Sequence, residues 1–137
     1  MPENDDSSKD SLETAARRAR AEPEMADVGA QATIVYATFP SLETARAAAR
    51  RLVEGRLAAC VNVIPGMVAV YEWEGVINED SEVVVIIKTT RAASEACIAA
   101  VCEGHPYANP AAVRIDVSGG AAPYLEWIVA NTLQRAR

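Results

Sequence analysis

Two side chains in this sequence have the chemistry to bind a soft metal ion, Cys60 and His105. A thiolate is a preferred ligand of copper(I), and an imidazole suits copper, zinc and nickel. Cys60 lies between Ala59 and Val61 in an apolar segment, where a free cysteine is commonly only a small buried hydrophobic residue. His105, the only histidine, precedes Pro106, which favours extended or turn backbone and predicts an exposed loop position. Because a closed site usually needs four ligands, the sequence predicts a metal site shared between chains.

Acidic side chains near residues 72–82 offer hard oxygen ligands, and Glu82 is the candidate for a further metal ligand. The alternative, which we favour, is a solvated acidic turn that also contains Glu79 and Asp80. Lys88 follows an apolar run, so its ammonium group is expected either to pair with an acid such as Glu82 of another subunit or to bind an anion. The ion pair is the favoured interpretation. Cys97 and Cys102 point in different directions on a helix and are expected to be structural.

An enzymatic alternative uses the same two residues, with Cys60 as nucleophile and His105 as general base. Such a site also needs a group that orients the base and donors that stabilise an oxyanion. The sequence contains no nucleophile elbow, Walker loop, dinucleotide fingerprint or H-E-x-x-H motif. We therefore favour a protein that acts by binding, and keep a small enzyme with Cys60 as nucleophile as the alternative.

The composition predicts one small domain behind a charged tail. The chain has 137 residues, of which 50% are hydrophobic and 23% charged, and its net charge is −6. Residues 1–30 contain eight acidic and four basic residues and almost no large apolar ones, which predicts a disordered N-terminal tail. The folded domain is then expected over 31–137. Because no large basic face is available, we do not expect nucleic acid as a partner.

The same features predict a cytoplasmic protein without a membrane segment. No run approaches the roughly 20 apolar residues of a membrane-spanning helix, and the first residues are acidic where a secretory signal would be basic and then apolar. The three cysteines are an odd number without a C-x-x-C pair, which argues against a disulfide framework or a structural zinc site.

The elements that must position these residues follow from hydrophobic periodicity and from proline and glycine positions. Ser41 and Gly55 are expected to begin and end a helix whose buried face contains Leu42, Ala45, Ala49, Leu52 and Val53. Pro65 predicts that its strand lies at a sheet edge or at a bulge. The predicted segments are a strand at 34–39, a helix at 42–54, extended chain at 57–71 and 76–90, a helix at 91–103, a strand at 112–117 and a final helix from Pro123. This β-α-β-β-α-β order with a terminal helix predicts an α+β, ferredoxin-like fold with an antiparallel sheet.

Two features predict that the domain assembles with other chains. The two central extended segments, 57–71 and 76–90, are each about 15 residues or on the order of 50 Å long, whereas strands usually have about five or six residues. The run Val83–Ile87 consists of five β-branched residues, which indicates that both of its faces are buried. A partner chain would have to cover what a single small sheet leaves exposed.

Five short motifs resemble the CutA divalent-cation tolerance family in order and spacing. They are the segments at 57–66 (LAACVNVIPG), 71–75 (YEWEG), 88–90 (KTT), 105–107 (HPY) and 124–127 (YLEW), and the resemblance covers about residues 32–133. It implies a ferredoxin-like homotrimer, similar in build to the PII nitrogen-signalling proteins, that takes part in the response to copper or another divalent cation. It also implies that Cys60 and His105 belong to signature segments. The sequence leaves open an unidentified protein partner of the trimer.

Overall fold

The structure, a computed structural model, describes residues 31–133; the predicted tail at 1–30 lies outside the described residues. The element order agrees with the sequence prediction. The elements are β1 (Ala32–Phe39), α1 (Leu42–Glu54), β2 (Cys60–Trp73), β3 (Val76–Thr90), α2 (Arg91–Cys102), β4 (Ala112–Asp116) and α3 (Ala122–Ala130).

The four strands form one sheet in the order β2-β3-β1-β4, and every neighbouring pair is antiparallel. β1 and β3 are therefore the central strands, although they are far apart in the chain. This arrangement confirms the predicted α+β, ferredoxin-like fold.

The helices α1 and α2 cover one face of the sheet and enclose the main core. Val35, Val85 and Ile87 from the central strands pack there against both helices. α1 begins after Ser41, whose side chain accepts a hydrogen bond from the amide of Thr44 at 3.1 Å, as expected of an N-cap.

The buried stripe of α1 differs from the predicted one. The helix buries Ala45, Ala48 and Leu52, whereas Leu42 and Val53 are 43% and 42% exposed. A stripe with a period of 3.6 residues that includes Ala48 turns the first residue of the helix and Val53 away from the core.

The opposite surface of the sheet, which we call the second face, is only partly covered. Its residues alternate with those of the core. They are Ile34, Tyr36, Thr38, Cys60, Asn62, Ile64, Val84, Ile86, Lys88, Val113 and Ile115. α3 packs over one end of this face, where Leu125 and Ile128 contact Ala32 and Ala59. Ile64, Val113 and Ile115 remain exposed.

β2 and β3 form a hairpin that extends far beyond the rest of the sheet. Only Val83–Thr90 of β3 pairs with β1, so the part at 67–82, which we call the arm, consists of two strands alone. β2 begins at Cys60, three residues later than predicted, because Leu57 and Ala58 donate backbone hydrogen bonds to the end of α1. The turn is also shorter than predicted, with Glu74 and Gly75 both at positive φ, as in a type I′ hairpin.

A bulge at Pro65 and Gly66 confirms the interpretation of Pro65. Between Ile64 and Met67 the pairing advances three residues on β2 but only two on β3. One extra residue reverses the alternation of side chains, so Tyr71 on the arm lies on the same side as the second face. The second face therefore continues along the arm.

Candidate functional site on the second face

Cys60 lies on the second face, at the end of the sheet covered by α3. It is half-buried, and it pairs directly with Lys88 across β2 and β3. Directly opposed residues in a sheet share a face, so the thiol and the lysine stem are neighbours. The side-chain amide of Asn62 donates to Cys60 Sγ at 3.9 Å.

The ammonium group of Lys88 is held by the last helix. Lys88 Nζ donates to the hydroxyl of Tyr124 at 3.0 Å and lies 5.3 Å from the centre of the Tyr124 ring, which in turn stacks on Trp127. Among residues 31–133, no carboxylate lies within ion-pair distance of Lys88. Within the described part of one protomer this cation is therefore paired with an aromatic ring and not with an acid.

An acidic and phenolic cluster lies at the other end of the second face, where the arm leaves the sheet. The hydroxyl of Tyr71 donates to a carboxylate oxygen of Asp80 at 2.5 Å. This hydrogen bond, more than partial burial and the negative charges of Asp80 and Glu82, raises the pKa of Tyr71 to about 12.

Glu82 belongs to this cluster and is not part of a solvated turn. It is only 8% exposed, which contradicts the favoured interpretation of this acid. Burial raises the pKa of Tyr107, and the negative charges of Glu82 and Asp80, with hydrogen bonding to Glu82, raise it further. The acid and the phenol therefore face one another, because the loop after α2 carries Tyr107 to the neck of the arm.

His105 holds that loop in place with both of its ring nitrogens. His105 Nε2 contacts the carbonyl oxygen of Thr38 at 2.8 Å, and the backbone amide of Tyr107 donates to Nδ1 at 3.0 Å. Both contacts are satisfied together by the tautomer with its hydrogen on Nε2, because the carbonyl only accepts and the amide only donates. The ring also stacks on Phe39 at 4.5 Å and is half-buried. The expectation of a freely exposed imidazole is therefore wrong.

The two predicted metal ligands lie at different ends of the sheet. Cys60 is in register with Lys88 and Ile34, whereas His105 contacts Thr38, four residues further along β1. These positions are about 13 Å apart along the strands and about 10 Å across them. Within residues 31–133, no group of three or more His, Cys, Asp or Glu side chains could hold a metal ion. A protomer therefore forms neither a Cys60–His105 metal site nor the corresponding nucleophile–base pair.

The other two cysteines lie away from the second face. Cys97 is fully buried in the core against the central strands, and burial raises the pKa of its thiol to about 12. Cys102 is exposed at the end of α2. Of the three thiols, Cys60 is the one that the second face presents.

Sequence reasoning did not find three contacts: the Tyr71–Asp80 hydrogen bond, the Tyr107–Glu82 pair and the use of both His105 nitrogens. Each depends on a register or a loop path that residue types do not specify. A signal for the first was present, since Tyr71 and Asp80 lie nine residues apart around a predicted hairpin turn.

The sheet order, the projecting arm and the partly uncovered second face define a ferredoxin-like protein of the α+β class. Residues 33–131 match the family model described as CutA1 divalent ion tolerance protein. The chain belongs to this family, which confirms the resemblance noted in its motifs.

Relatives and solved structures support the same assignment. The divalent-cation tolerance protein CutA of Thermus thermophilus is 42% identical over 99 residues, which are 72% of this chain and 96% of that protein. The chloroplastic protein CutA of Arabidopsis thaliana is 40% identical over 72% of this chain, and the match spans 54% of its own length. The Thermus thermophilus structure superimposes with a TM-score of 0.71 at 42% identity, over 74% of this chain and 98% of that one. The structure of CutA1 from Oryza sativa superimposes with a TM-score of 0.74 at 34% identity, over 78% of this chain and 98% of that one.

The described residues 31–133 include no helix that is long and apolar enough to cross a membrane.

Proposed function

We propose that this protein is a homotrimer that binds copper or another divalent metal through Cys60 on the second face, and that it acts by binding and not by catalysis. The observation that carries this proposal is the position of Cys60: of the three thiols, it is the one on the face that a single protomer leaves partly uncovered. Membership of the divalent ion tolerance family supports a role in metal response.

The exposed apolar surface supports assembly. Val70, Val76 and Ile77 on the arm are 64%, 60% and 68% exposed, and Val113 and Ile115 on the edge strand β4 are more than half exposed. Exposed apolar side chains in this number, on the arm and at the opposite edge of one sheet, are typical of surfaces that meet in an interface. β2 and β4 are both free edges of the sheet, so a head-to-tail contact between copies could close into a ring. The number three rests on the resemblance in the sequence.

A trimer supplies what the protomer lacks for a metal site. One thiolate is too few to bind copper tightly, but neighbouring second faces can contribute further thiolates. A copper(I) ion with several thiolates carries net negative charge, which the adjacent Lys88 ammonium groups would balance. His105 and Glu82 are secondary candidates, because a metal would have to displace Thr38 and Tyr107 from the imidazole, or Tyr107 from the carboxylate.

The cellular setting belongs to the same proposal. Copper(I)–thiolate chemistry and three free cysteines suit a reducing cytoplasm. A change in the second face on metal binding would be passed to a protein partner, in the manner of PII-like signalling.

Anaerobic copper(I) titration against a competing chelator tests the proposal, with light scattering at micromolar concentration on the same samples. We expect trimers that bind copper(I), loss of binding in Cys60→Ser, and unchanged binding in the matched exposed control Cys102→Ser. Full copper(I) affinity in Cys60→Ser, or a monomeric parent protein, would contradict the proposal.

A further inference from the structure

A groove runs between α1 and the edge strand β2, on the side of the sheet away from the second face. It has a volume of about 420 Å³, and its floor is formed by Val53, Val61 and Val63. The groove exists because Ala49 is too short to fill the space between the helix and the strand, and because, within the described residues, no further strand of the same chain lies beside β2. Small-molecule sites commonly have volumes of about 300–1,000 Å³.

Two exposed arginines of α1 line this groove. Arg46 and Arg50 lie one helical turn apart on α1, and both are exposed. Among the described residues, ion pairs link Arg91 and Arg114 to Asp116, but neither Arg46 nor Arg50 has a carboxylate within 4.0 Å. An arginine pair in this geometry is suited to a carboxylate, sulfate or phosphate group.

The charges are ordered along the groove. Glu54 lies one further turn along α1, next to Val53, so the groove has a positive end at Arg46 and Arg50 and an acidic end at Glu54. Since α1 runs antiparallel to β2, Val63 lies toward the positive end and Val61 toward the acidic end. An anionic group is therefore favoured at one end only, with apolar surface beyond it.

We propose that this groove binds a small amphiphilic carboxylate, with its charged group on Arg46 and Arg50 and its apolar body on Val53, Val61 and Val63. The apolar floor favours an amphiphile over a simple inorganic anion, because phosphate would use the arginines and leave the valines in water. The site is separate from Cys60 and does not depend on metal binding.

Dodecanoate binding to the full-length protein, followed by calorimetry at low ionic strength, tests this site. Arg46→Gln and Arg50→Gln are each expected to weaken binding about three- to tenfold, because an exposed charge-assisted contact is lost. Glu54→Gln should strengthen binding by up to about twofold, because a like charge is removed. Arg51→Gln is the matched control: it removes an exposed arginine of the same helix that does not line the groove, and should leave affinity unchanged.

Methyl NMR separates this groove from the other exposed apolar surface. Dodecanoate should shift the methyl signals of Val53, Val61 and Val63, and leave those of Val68 and Val70 on the arm unshifted. Inorganic phosphate, which has the charge without the apolar body, should compete poorly. Val63→Ser should weaken dodecanoate binding without changing the weak binding of phosphate.

Several results would overturn the proposal. Equal affinity in Arg46→Gln, Arg50→Gln and Arg51→Gln, or shifts confined to the arm, would mean non-specific apolar binding. Absence of binding to the intact chain would also overturn it. None of these results bears on copper binding by Cys60→Ser, so the two proposals fail independently.

Discussion

Cys60 and Lys88 are directly opposed on β2 and β3, and the ammonium group of Lys88 is held 3.0 Å from the hydroxyl of Tyr124. The helix α3 thus fixes a positive charge on the same face as the thiol. A bare metal cation gains nothing from such a neighbour, whereas an anionic metal–thiolate complex does. In the proposed copper site, Lys88 would therefore stabilise the negative charge of the metal–thiolate complex.

The first prediction concerns that charge. Lys88→Met keeps an apolar stem of similar length but removes the ammonium group, so copper(I) affinity should fall by about tenfold while the protein stays assembled. Lys88→Arg should retain most of the affinity. Chelator competition measures both, with Arg46→Met as a control that removes an exposed cation far from the second face. Unchanged affinity in Lys88→Met would show that the charge of Lys88 does not stabilise the bound metal.

The second prediction concerns His105 as a structural residue. His105→Ala removes two hydrogen bonds and the stacking contact with Phe39, and should lower the free energy of unfolding by about 2–3 kcal/mol. Urea unfolding at one fixed protomer concentration measures it, because assembly makes stability concentration-dependent. Asn109→Ala, an exposed change in the same loop, is the control and should be within about 0.5 kcal/mol of the parent. An equally small effect in His105→Ala would leave this residue free for a ligand role.

The third prediction concerns Tyr71 on the arm. In the intact protein Tyr71 should titrate at a pKa of about 12, chiefly because its hydroxyl donates to Asp80. Asp80→Asn removes the negative charge and should move the Tyr71 pKa toward 10.0, the ordinary value for tyrosine. NMR of ring-labelled tyrosine follows the titration, and Glu79→Gln, an exposed acid beside Asp80, is the control. A Tyr71 signal that titrates near 10 in the parent would contradict the hydrogen bond.

The sequence was sufficient for the fold because its local signals agree with one another. Ser41 as N-cap, Pro65 at an edge bulge and Pro123 in the first turn of α3 all lie where the pattern predicted. The exposure of Leu42 and Val53 was not predictable, because it depends on which stripe of α1 faces the sheet. Alanines at several neighbouring positions make that choice ambiguous in the sequence.

The site was less predictable than the fold. Cys60 and His105 were identified by residue type, but their separation depends on the register of three strands, which the motifs do not encode. Glu82 was expected in solvent because its neighbours are acidic. It is buried because the loop after α2 returns to the sheet and brings Tyr107 against it, a long-range contact without a local signal.

The fourth prediction concerns the buried thiol. Burial raises the pKa of Cys97 from 9.0 to about 12, so the folded state keeps the thiol protonated while the unfolded chain ionises. Stability from this group is fully present below pH 9 and is lost as the pH rises from 9 toward 12, by at most about 1.4 kcal/mol per pH unit. Comparing urea unfolding at pH 8 and pH 10 measures the loss. Cys97→Ala should lower the free energy of unfolding at pH 8, but it should reduce the loss of that free energy between pH 8 and pH 10, which we call the alkaline slope.

The exposed Cys102 provides the control for that experiment, since Cys102→Ala should leave both the stability at pH 8 and the alkaline slope unchanged. An identical slope in the parent and in Cys97→Ala would mean that the alkaline loss has another source, such as Tyr71 or Tyr107.

The last prediction concerns the bulge at Pro65 and Gly66. Deleting Gly66 removes the extra residue of β2, so Met67 follows Ile64 in regular alternation and still pairs with Glu82. Tyr71 should therefore keep its hydrogen bond to Asp80 and its pKa of about 12, whereas the bend that the bulge gives the arm should be lost and the assembly should weaken. Ring-labelled NMR and sedimentation velocity measure these two effects. Gly66→Ala keeps the residue count and meets no atom within 4 Å, although its φ of +87° is unfavourable for alanine. It should cost about 1 kcal/mol and preserve both the Tyr71 pKa and the assembly. A Tyr71 pKa near 10 in the deletion variant would mean that the side chains beyond the bulge change face, and unchanged assembly would mean that the bulge does not shape the surface that meets a partner chain.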